Sequence, residues 1–223
     1  MALRNFTVRA PASTSNLGPG FDAFGLALNL WNEVDFSFDT DRTEVTFEGF
    51  GSADALNRTD NLILRAFRAL CTEQGRETPN AIRLHCRNRI PLGSGLGSSG
   101  ASIAIGLVAA NEALDLGLSQ PELVDLGARI EGHPDNIAAS LLGGLTVGAN
   151  GDGEEGMLIA SYAVDDWNLA VVKPHITIFT EDARRVLPKT VSLTDAVYNI
   201  QRIPFLLSAL CGGDEATLRF AAR

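Results

Sequence analysis

Between Pro91 and Ala101 the chain reads Pro-Leu-Gly-Ser-Gly-Leu-Gly-Ser-Ser-Gly-Ala, setting Gly93, Gly95, Gly97 and Gly100 among Ser94, Ser98, Ser99 and, just beyond, Ser102. Ahead of it Ile82, Leu84, Cys86 and Ile90 fall on one parity, the pattern of a half-buried strand. Behind it Ile103, Leu107, Ala110 and Leu114 recur at helical spacing. A strand, a glycine-serine loop and a helix together present free backbone N–H groups at the positive end of the helix. Glycine lets backbone come close to a ligand, and successive N–H groups can form a nest for anionic oxygens. The serines add hydroxyls suited to phosphate or magnesium. The stretch predicts a phosphate cradle, with ATP as the expected owner of the phosphate.

Glycine-rich turns are often plain loops, so the alternatives need sorting. No Lys-Ser or Lys-Thr follows, which excludes a Walker A loop. Gly95, Gly97 and Gly100 fit the dinucleotide spacing, but the helix begins too early for that fold. The whole string resembles the nucleotide loop of the GHMP small-molecule kinases, Pro-x-Gly-x-Gly-Leu-Gly-Ser-Ser-Ala. It departs only at Gly100, where that family usually has Ala. By this resemblance Pro91, Leu92, Gly93, Ser94, Gly95, Leu96, Gly97, Ser98, Ser99, Gly100 and Ala101 hold ATP.

Phe6, Val8 and Ala10 alternate and predict a first strand over residues 4–10. Pro11-Ala-Ser-Thr-Ser-Asn-Leu-Gly-Pro-Gly-Phe-Asp22 follows, ahead of an apolar stretch from Ala23 to Leu30. One reading is a Gly/Pro turn between strands. Another is a polar loop that holds the Asn16 amide and the Asp22 carboxylate beside the core. The string resembles the opening motif of homoserine kinases, a group within the GHMP family. That likeness implies that Asn16 and Asp22 contact an amino-acid substrate, Asp22 near its amine or hydroxyl.

Residues 33–50 alternate again and predict a hairpin about Asp39-Thr-Asp41. Asp60 is placed to cap a helix ending near Gly75, and Asn61 is a candidate for facing adenine. Ser119-Gln-Pro-Glu122 caps a later helix that carries Leu123, Val124, Leu126 and Ile130. It ends in Glu131-Gly-His-Pro-Asp-Asn136. Zinc is a poor fit to Glu131, His133 and Asp135, since no other His or Cys lies nearby, whereas magnesium needs only one or two protein oxygens. This string, too, resembles homoserine kinases. The likeness implies that His133 and Asn136 face substrate and that an acid, Glu131 or Asp125, joins Ser98 at magnesium. Asp22 and Asn136 are the residues placed at the reacting hydroxyl. An amide cannot act as a base, so the γ-phosphate itself is expected to take the proton.

Gly148 to Gly156 predicts a hairpin tip, and Asn168 to Lys173 a short buried strand. A helix from Glu181 to Leu187 would have Thr180 as its cap, with Arg184 one turn on. The pattern Thr-x-x-Ala-Arg-x-x-Leu-Pro again resembles homoserine kinases and implies that Thr180 and Arg184 contact substrate. Ser192 to Leu210 predicts a helix containing Pro204, and Asp214 to Ala222 a last short one.

A net charge of −9, with Lys and Arg scattered, argues against a nucleic-acid or anionic-membrane partner. No apolar run approaches the ~20 residues of a membrane span, and Met1-Ala-Leu-Arg lacks the apolar core of a signal peptide. Cys71, Cys86 and Cys211 are odd in number and read as reduced thiols of a cytoplasmic protein. The fold class expected is α+β. The resemblance implies a ribosomal-protein-S5-domain-2-like ATP-binding domain over residues 1–165 and a partial ferredoxin-like domain over 166–223. The family continues past the position of Arg223 through a basic segment and a glycine-rich turn. The chain is therefore expected to be a C-terminally truncated member, weak in nucleotide binding and activity. The overall expectation is ATP- and Mg2+-dependent phosphorylation of L-homoserine to O-phospho-L-homoserine for threonine synthesis, with a homodimer open as an assembly. A mevalonate- or sugar-type GHMP kinase and an inactive nucleotide-binding remnant are the alternatives.

Overall fold

The structure, a computed structural model, describes residues 3–51, 61–149, 151, 156–172 and 180–223, with only the backbone at 180–182. Two long strands form its spine. β1 (Phe6–Ser15) and β2 (Phe24–Ser37) run antiparallel from Phe6 opposite Phe36 to Ser15 opposite Gly25. The register slips between Pro11 and Ala12. Proline has no N–H to give to a ladder, and a bulge is where a sheet tolerates it. This corrects the reading of Pro11–Ser15 as turn. The strand passes through the bulge, and only residues 16–23 loop.

β3 (Glu44–Gly49), β4 (Arg83–Asn88), β5 (Leu145–Ala149) and β6 (Leu158–Tyr162) complete the sheet in the order β3-β4-β2-β5-β6, with β1 on β2. The hairpin expected about residues 39–41 does not form. β4 lies between β2 and β3, antiparallel to the first and parallel to the second. A parallel pair needs a crossover rather than a tight turn, and the segment carrying α1 (Leu62–Glu73) supplies it. β5 and β6 do pair as a hairpin, Leu145 opposite Tyr162.

α1 is capped by Asn61, whose Oδ1 accepts the Leu64 N–H at 2.8 Å. Asp60, the cap expected from sequence, lies outside the described residues. Asn61 is buried, and its side-chain carbonyl is committed to the cap. α2 (Ser98–Ala113) runs through the centre of the main core, and Ala101, Ile103, Ala104, Ile105, Leu107, Ala109 and Ala110 are all buried. α3 (Gln120–Glu131) starts as expected, the Glu122 carboxylate accepting both the N–H and the hydroxyl of Ser119. Gly132, at φ 92°, ends it, and α4 (Asp135–Leu142) begins three residues on.

Residues 163–172 form no strand, and Leu169, Val171 and Val172 are exposed. The buried strand expected at 168–173 is therefore corrected over 168–172: apolar residues alone do not make a strand, and no partner strand lies alongside among the described residues. Lys173 and residues 174–179 lie outside them. Beyond come α5 (Thr180–Arg185), α6 (Leu193–Gly212) and α7 (Glu215–Ala221). Ser192 caps α6 through the Asp195 N–H, and Pro204 sits within that helix. Leu206 and Leu210 of α6 and Ala221 of α7 bury themselves against Phe24, Leu26 and Leu145 of the sheet. Leu17 and Leu218 join this cluster, which sets the 16–23 loop against the last two helices.

Candidate active site

Gly93, Gly95 and Gly97 have φ of 60°, 71° and 64°, so every second residue of the loop is left-handed. That alternation turns successive N–H groups toward one concave side, the geometry of an anion nest. Gly97 is the N-cap of α2, and Ala101 N–H is the first to reach back, to the Gly97 carbonyl at 2.9 Å. The N–H groups of Ser98, Ser99 and Gly100 therefore have no intrahelical partner. A β-carbon on Gly97 would collide with Ser13 Oγ, so a side chain here is excluded by space as well as by φ. Leu96 and Ala101 are buried in the core and pin the loop at both ends, while Ser94 Oγ donates to the Pro91 carbonyl at 2.6 Å.

The loop forms one wall of a cavity of about 620 Å³. Residues 92–99 line it, facing His133, Asp135, Asn136, Ser15, Asn16 and Arg184. Pro91, Gly100 and Ala101 support the loop from behind and do not line the cavity.

Glu131, at the end of α3, reaches the start of α2. Its Oε1 accepts from Ser99 Oγ at 2.7 Å. Oε2 is buried and has no hydrogen-bond partner among the described residues. Burial pushes this carboxyl above its usual range, against the Ser99 hydrogen bond that favours its charge. An orphaned carboxylate oxygen beside a phosphate cradle fits a hard cation such as magnesium. Glu131 lines not the loop cavity but another that shares Ser99, His133 and Arg184 with it. Asp125 is committed elsewhere. It pairs with Arg129, which also holds Glu73 at 2.7 Å, and it lines a different cavity.

His133 and Asp135 form a tight pair, Nδ1 to Oδ1 at 2.6 Å. That bond holds the imidazole pKa above its ordinary value, although burial opposes it. For Asp135, only 2% exposed, burial works against the charge. The His133 bond and charge, the Asn136 N–H and Ser15 outweigh it, leaving the carboxyl below its usual range. Asn136 lies between this pair and the loop. Its Oδ1 accepts from Ser13 Oγ at 2.9 Å, and its Nδ2 donates to Ser15 Oγ at 3.1 Å.

On the opposite wall Asn16 and Asp22 both take left-handed backbone, at φ 58° and 53°. Asn16 Oδ1 accepts the Asp22 N–H at 2.9 Å and braces the turn. Arg184 of α5 donates to both oxygens of Asp22, and its guanidinium lies 5.7 Å from the centre of the Phe21 ring. Asp22 reaches the cavity only through Arg184. The side chain of Thr180 lies outside the described residues.

Asn16, His133, Asn136, Arg184, Ser98, Glu131 and the phosphate loop thus converge from four separate stretches of sequence. Ser13, Ser15 and Asp135 were given no role from sequence alone. The signal available was their place inside the two polar motifs. That the two serines share a face follows from their spacing once β1 is seen to continue past Pro11.

A profile of the GHMP kinases N-terminal domain matches residues 61–144. A homoserine kinase of Caldanaerobacter subterraneus is 41% identical over 97% of this chain and 69% of its own length. One from Moorella thermoacetica is 40% identical over 93% of this chain, again 69% of its length. A solved structure from Listeria monocytogenes, assigned as a homoserine kinase, superposes with a TM-score of 0.78 at 29% identity. That match covers 99% of this chain and 73% of the other. With the glycine-serine loop, Asn16 and the His133–Asn136 stretch gathered on one cavity, and with this degree of likeness across nearly its whole length, the chain belongs to the homoserine kinases of the GHMP kinase family.

Proposed function

We propose that the cavity transfers the γ-phosphoryl group of ATP to the side-chain hydroxyl of L-homoserine, with Mg2+, giving O-phospho-L-homoserine for threonine synthesis in the cytoplasm. The observation that carries this reading is the shared cavity, in which residues 92–99 face Asn136, His133 and Arg184. Phosphoryl transfer asks for positioning and charge neutralisation more than for covalent help. The loop N–H groups and the N-terminus of α2 hold phosphate oxygens. Glu131 and the Ser98 hydroxyl are the residues that would hold Mg2+, which would supply charge neutralisation to the phosphoryl group. Asn136 lines the cavity, its Nδ2 shared between Ser15 and Asp135, and is the residue assigned to meet the acceptor hydroxyl. The amide has no basicity, and His133, Asn136 and Ser15 lower the basicity of Asp135, so the hydroxyl proton passes to the phosphoryl oxygen itself.

Asp22 and Arg184 are the complement of an α-amino acid: a carboxylate for its ammonium and a guanidinium for its carboxylate. Mevalonate has no ammonium group, which favours homoserine over that alternative. The relatives named homoserine kinase support the same choice. The division into an ATP-binding part over 1–165 and a second part from 166 remains part of this proposal. The test is calorimetry with a non-hydrolysable ATP analogue and magnesium present. L-homoserine should bind roughly ten- to a hundred-fold tighter than 4-hydroxybutyrate, which lacks the ammonium. Equal affinity for the two would contradict the assignment.

A further inference from the structure

We propose that Ser13 is a positioning residue that joins the phosphate loop to the acceptor-binding amide of Asn136. The proposal rests on the reading that Asn136 meets the acceptor hydroxyl. Ser13 is fully buried on β1, 0% exposed, where a hydroxyl is retained at a cost unless it is hydrogen-bonded. Its N–H and its hydroxyl are both committed. Its N–H donates to the Leu96 carbonyl at 3.1 Å, tying β1 to the loop. Its Oγ lies 2.9 Å from Asn136 Oδ1 and 3.4 Å from the Asn136 carbonyl, so both neighbours are acceptors and the hydroxyl is the donor.

The Asp135 carboxylate, which can only accept, decides which way the amide faces, and the Ser13 hydroxyl fixes it there. With Oδ1 held by Ser13, Nδ2 is left to donate to Ser15 Oγ at 3.1 Å and lies 3.4 Å from Asp135 Oδ1. The flipped amide would set its oxygen against the Asp135 carboxylate, two acceptors face to face. Asp135 therefore selects one orientation and the Ser13 hydroxyl holds it from the opposite side, with the NH2 group shared between Ser15 and Asp135, both of which line the cavity. Gly97 closes the arrangement. A β-carbon there would collide with Ser13 Oγ and lie 2.9 Å from Asn136 Oδ1. The left-handed cap of α2 thus rests directly on the Ser13–Asn136 hydrogen bond, and a shift of the loop is felt at the amide. Misplacing a reacting group by about 1 Å can cost on the order of 10²-fold in rate.

The experiment is a double-mutant cycle of Ser13→Ala and Asn136→Ala, followed by kcat and KM for homoserine and ATP. Ser13→Ala should lower kcat roughly ten- to a hundred-fold with little change in KM for ATP. If Ser13 acts through Asn136, the double variant should be no slower than Asn136→Ala alone. Losses that multiply, or a Ser13→Ala variant with wild-type kcat, would overturn the proposal. Ser13→Cys keeps the size with a weaker donor and should fall between serine and alanine. A spectroscopic arm needs no turnover: the side-chain NH2 resonances of Asn136, identified by their loss in Asn136→Ala, should shift or broaden in Ser13→Cys. If the wild-type chain moves no phosphate to homoserine, the functional reading fails, and this arm alone decides Ser13. Unmoved resonances contradict the proposal, and moved ones support it.

Discussion

Arg184 holds Asp22 by two parallel hydrogen bonds, Nη1 to Oδ2 at 2.8 Å and Nη2 to Oδ1 at 2.7 Å, across 162 residues of sequence. The fork geometry is the strong form of an Arg–carboxylate contact. Both side chains keep a third or more of their surface exposed, so solvent screens the pair and its worth to the fold is small. Under the proposed function, its value lies instead in presenting a carboxylate and a guanidinium to an amino acid, Arg184 from the cavity wall and Asp22 behind it.

Asp22→Asn should therefore weaken L-homoserine roughly ten- to a hundred-fold while leaving ATP affinity within about two-fold. The melting temperature should move little. Calorimetric titration of both ligands and a thermal melt check this together. An equal loss for the two ligands, or a large drop in melting temperature, would make Asp22 a structural residue.

Gly95 and Gly97 should part company on substitution. Gly95 has nothing within 4 Å of where a β-carbon would lie, but its φ of 71° is strained for any side chain. Left-handed backbone costs a residue with a side chain about 1–2 kcal/mol. Gly95→Ala can relax when the loop is empty and must regain that geometry to bind phosphate. It should fold normally and lose roughly five- to thirty-fold in nucleotide affinity. Gly97→Ala meets Ser13 Oγ as well, so it should impair nucleotide and homoserine binding and lower the melting temperature. Identical behaviour of the two variants would argue against the loop geometry described.

The His133–Asp135 pair carries a pH signature. The imidazole pKa is raised above its ordinary 6.5, so its contribution to stability is full below 6.5 and is lost as pH rises through the raised value. The Asp135 pKa is lowered below 3.8, so its contribution is present above 3.8 and is lost as pH falls through the lowered value. Wild type should exceed His133→Gln in melting temperature most between these limits, with the gap narrowing on the alkaline side. Melting curves of both proteins across pH check it. A gap that stays constant or widens as pH rises would contradict the pairing.

Glu131 should show the reverse balance. Its carboxyl is raised by burial, so in the absence of magnesium the charge is a burden to the fold. Glu131→Gln should melt at the same temperature or higher without Mg2+, yet need at least about ten-fold more Mg2+ for half-maximal activity. Unchanged magnesium dependence would remove Glu131 from the metal site.

Features written in local chemistry were legible before the structure. The alternating glycines of 93–97 and the Ser119–Glu122 cap each involve residues a few positions apart, and both stand where expected. Pairing over long distance was not legible. β3 alternates as well as any hairpin strand, but it pairs with β4, which enters the sheet some forty residues later. Leu169, Val171 and Val172 have strand-like composition, yet they find no ladder among the described residues. At the site, the motifs named His133 and Asn136, while Ser13 and Ser15 emerged only when β1 was seen to carry its ladder past Pro11. A serine on a strand has no visible function until the side chain opposite it is known.

The central claim is tested most directly by following the γ-phosphate. The chain, in excess over γ-labelled ATP and with magnesium, is mixed in separate single-turnover reactions with L-homoserine, mevalonate and galactose, and the labelled products are resolved. The account predicts label in O-phospho-L-homoserine and in neither of the other phosphate esters. Label released only as inorganic phosphate, or carried by mevalonate or galactose in place of homoserine, would contradict it.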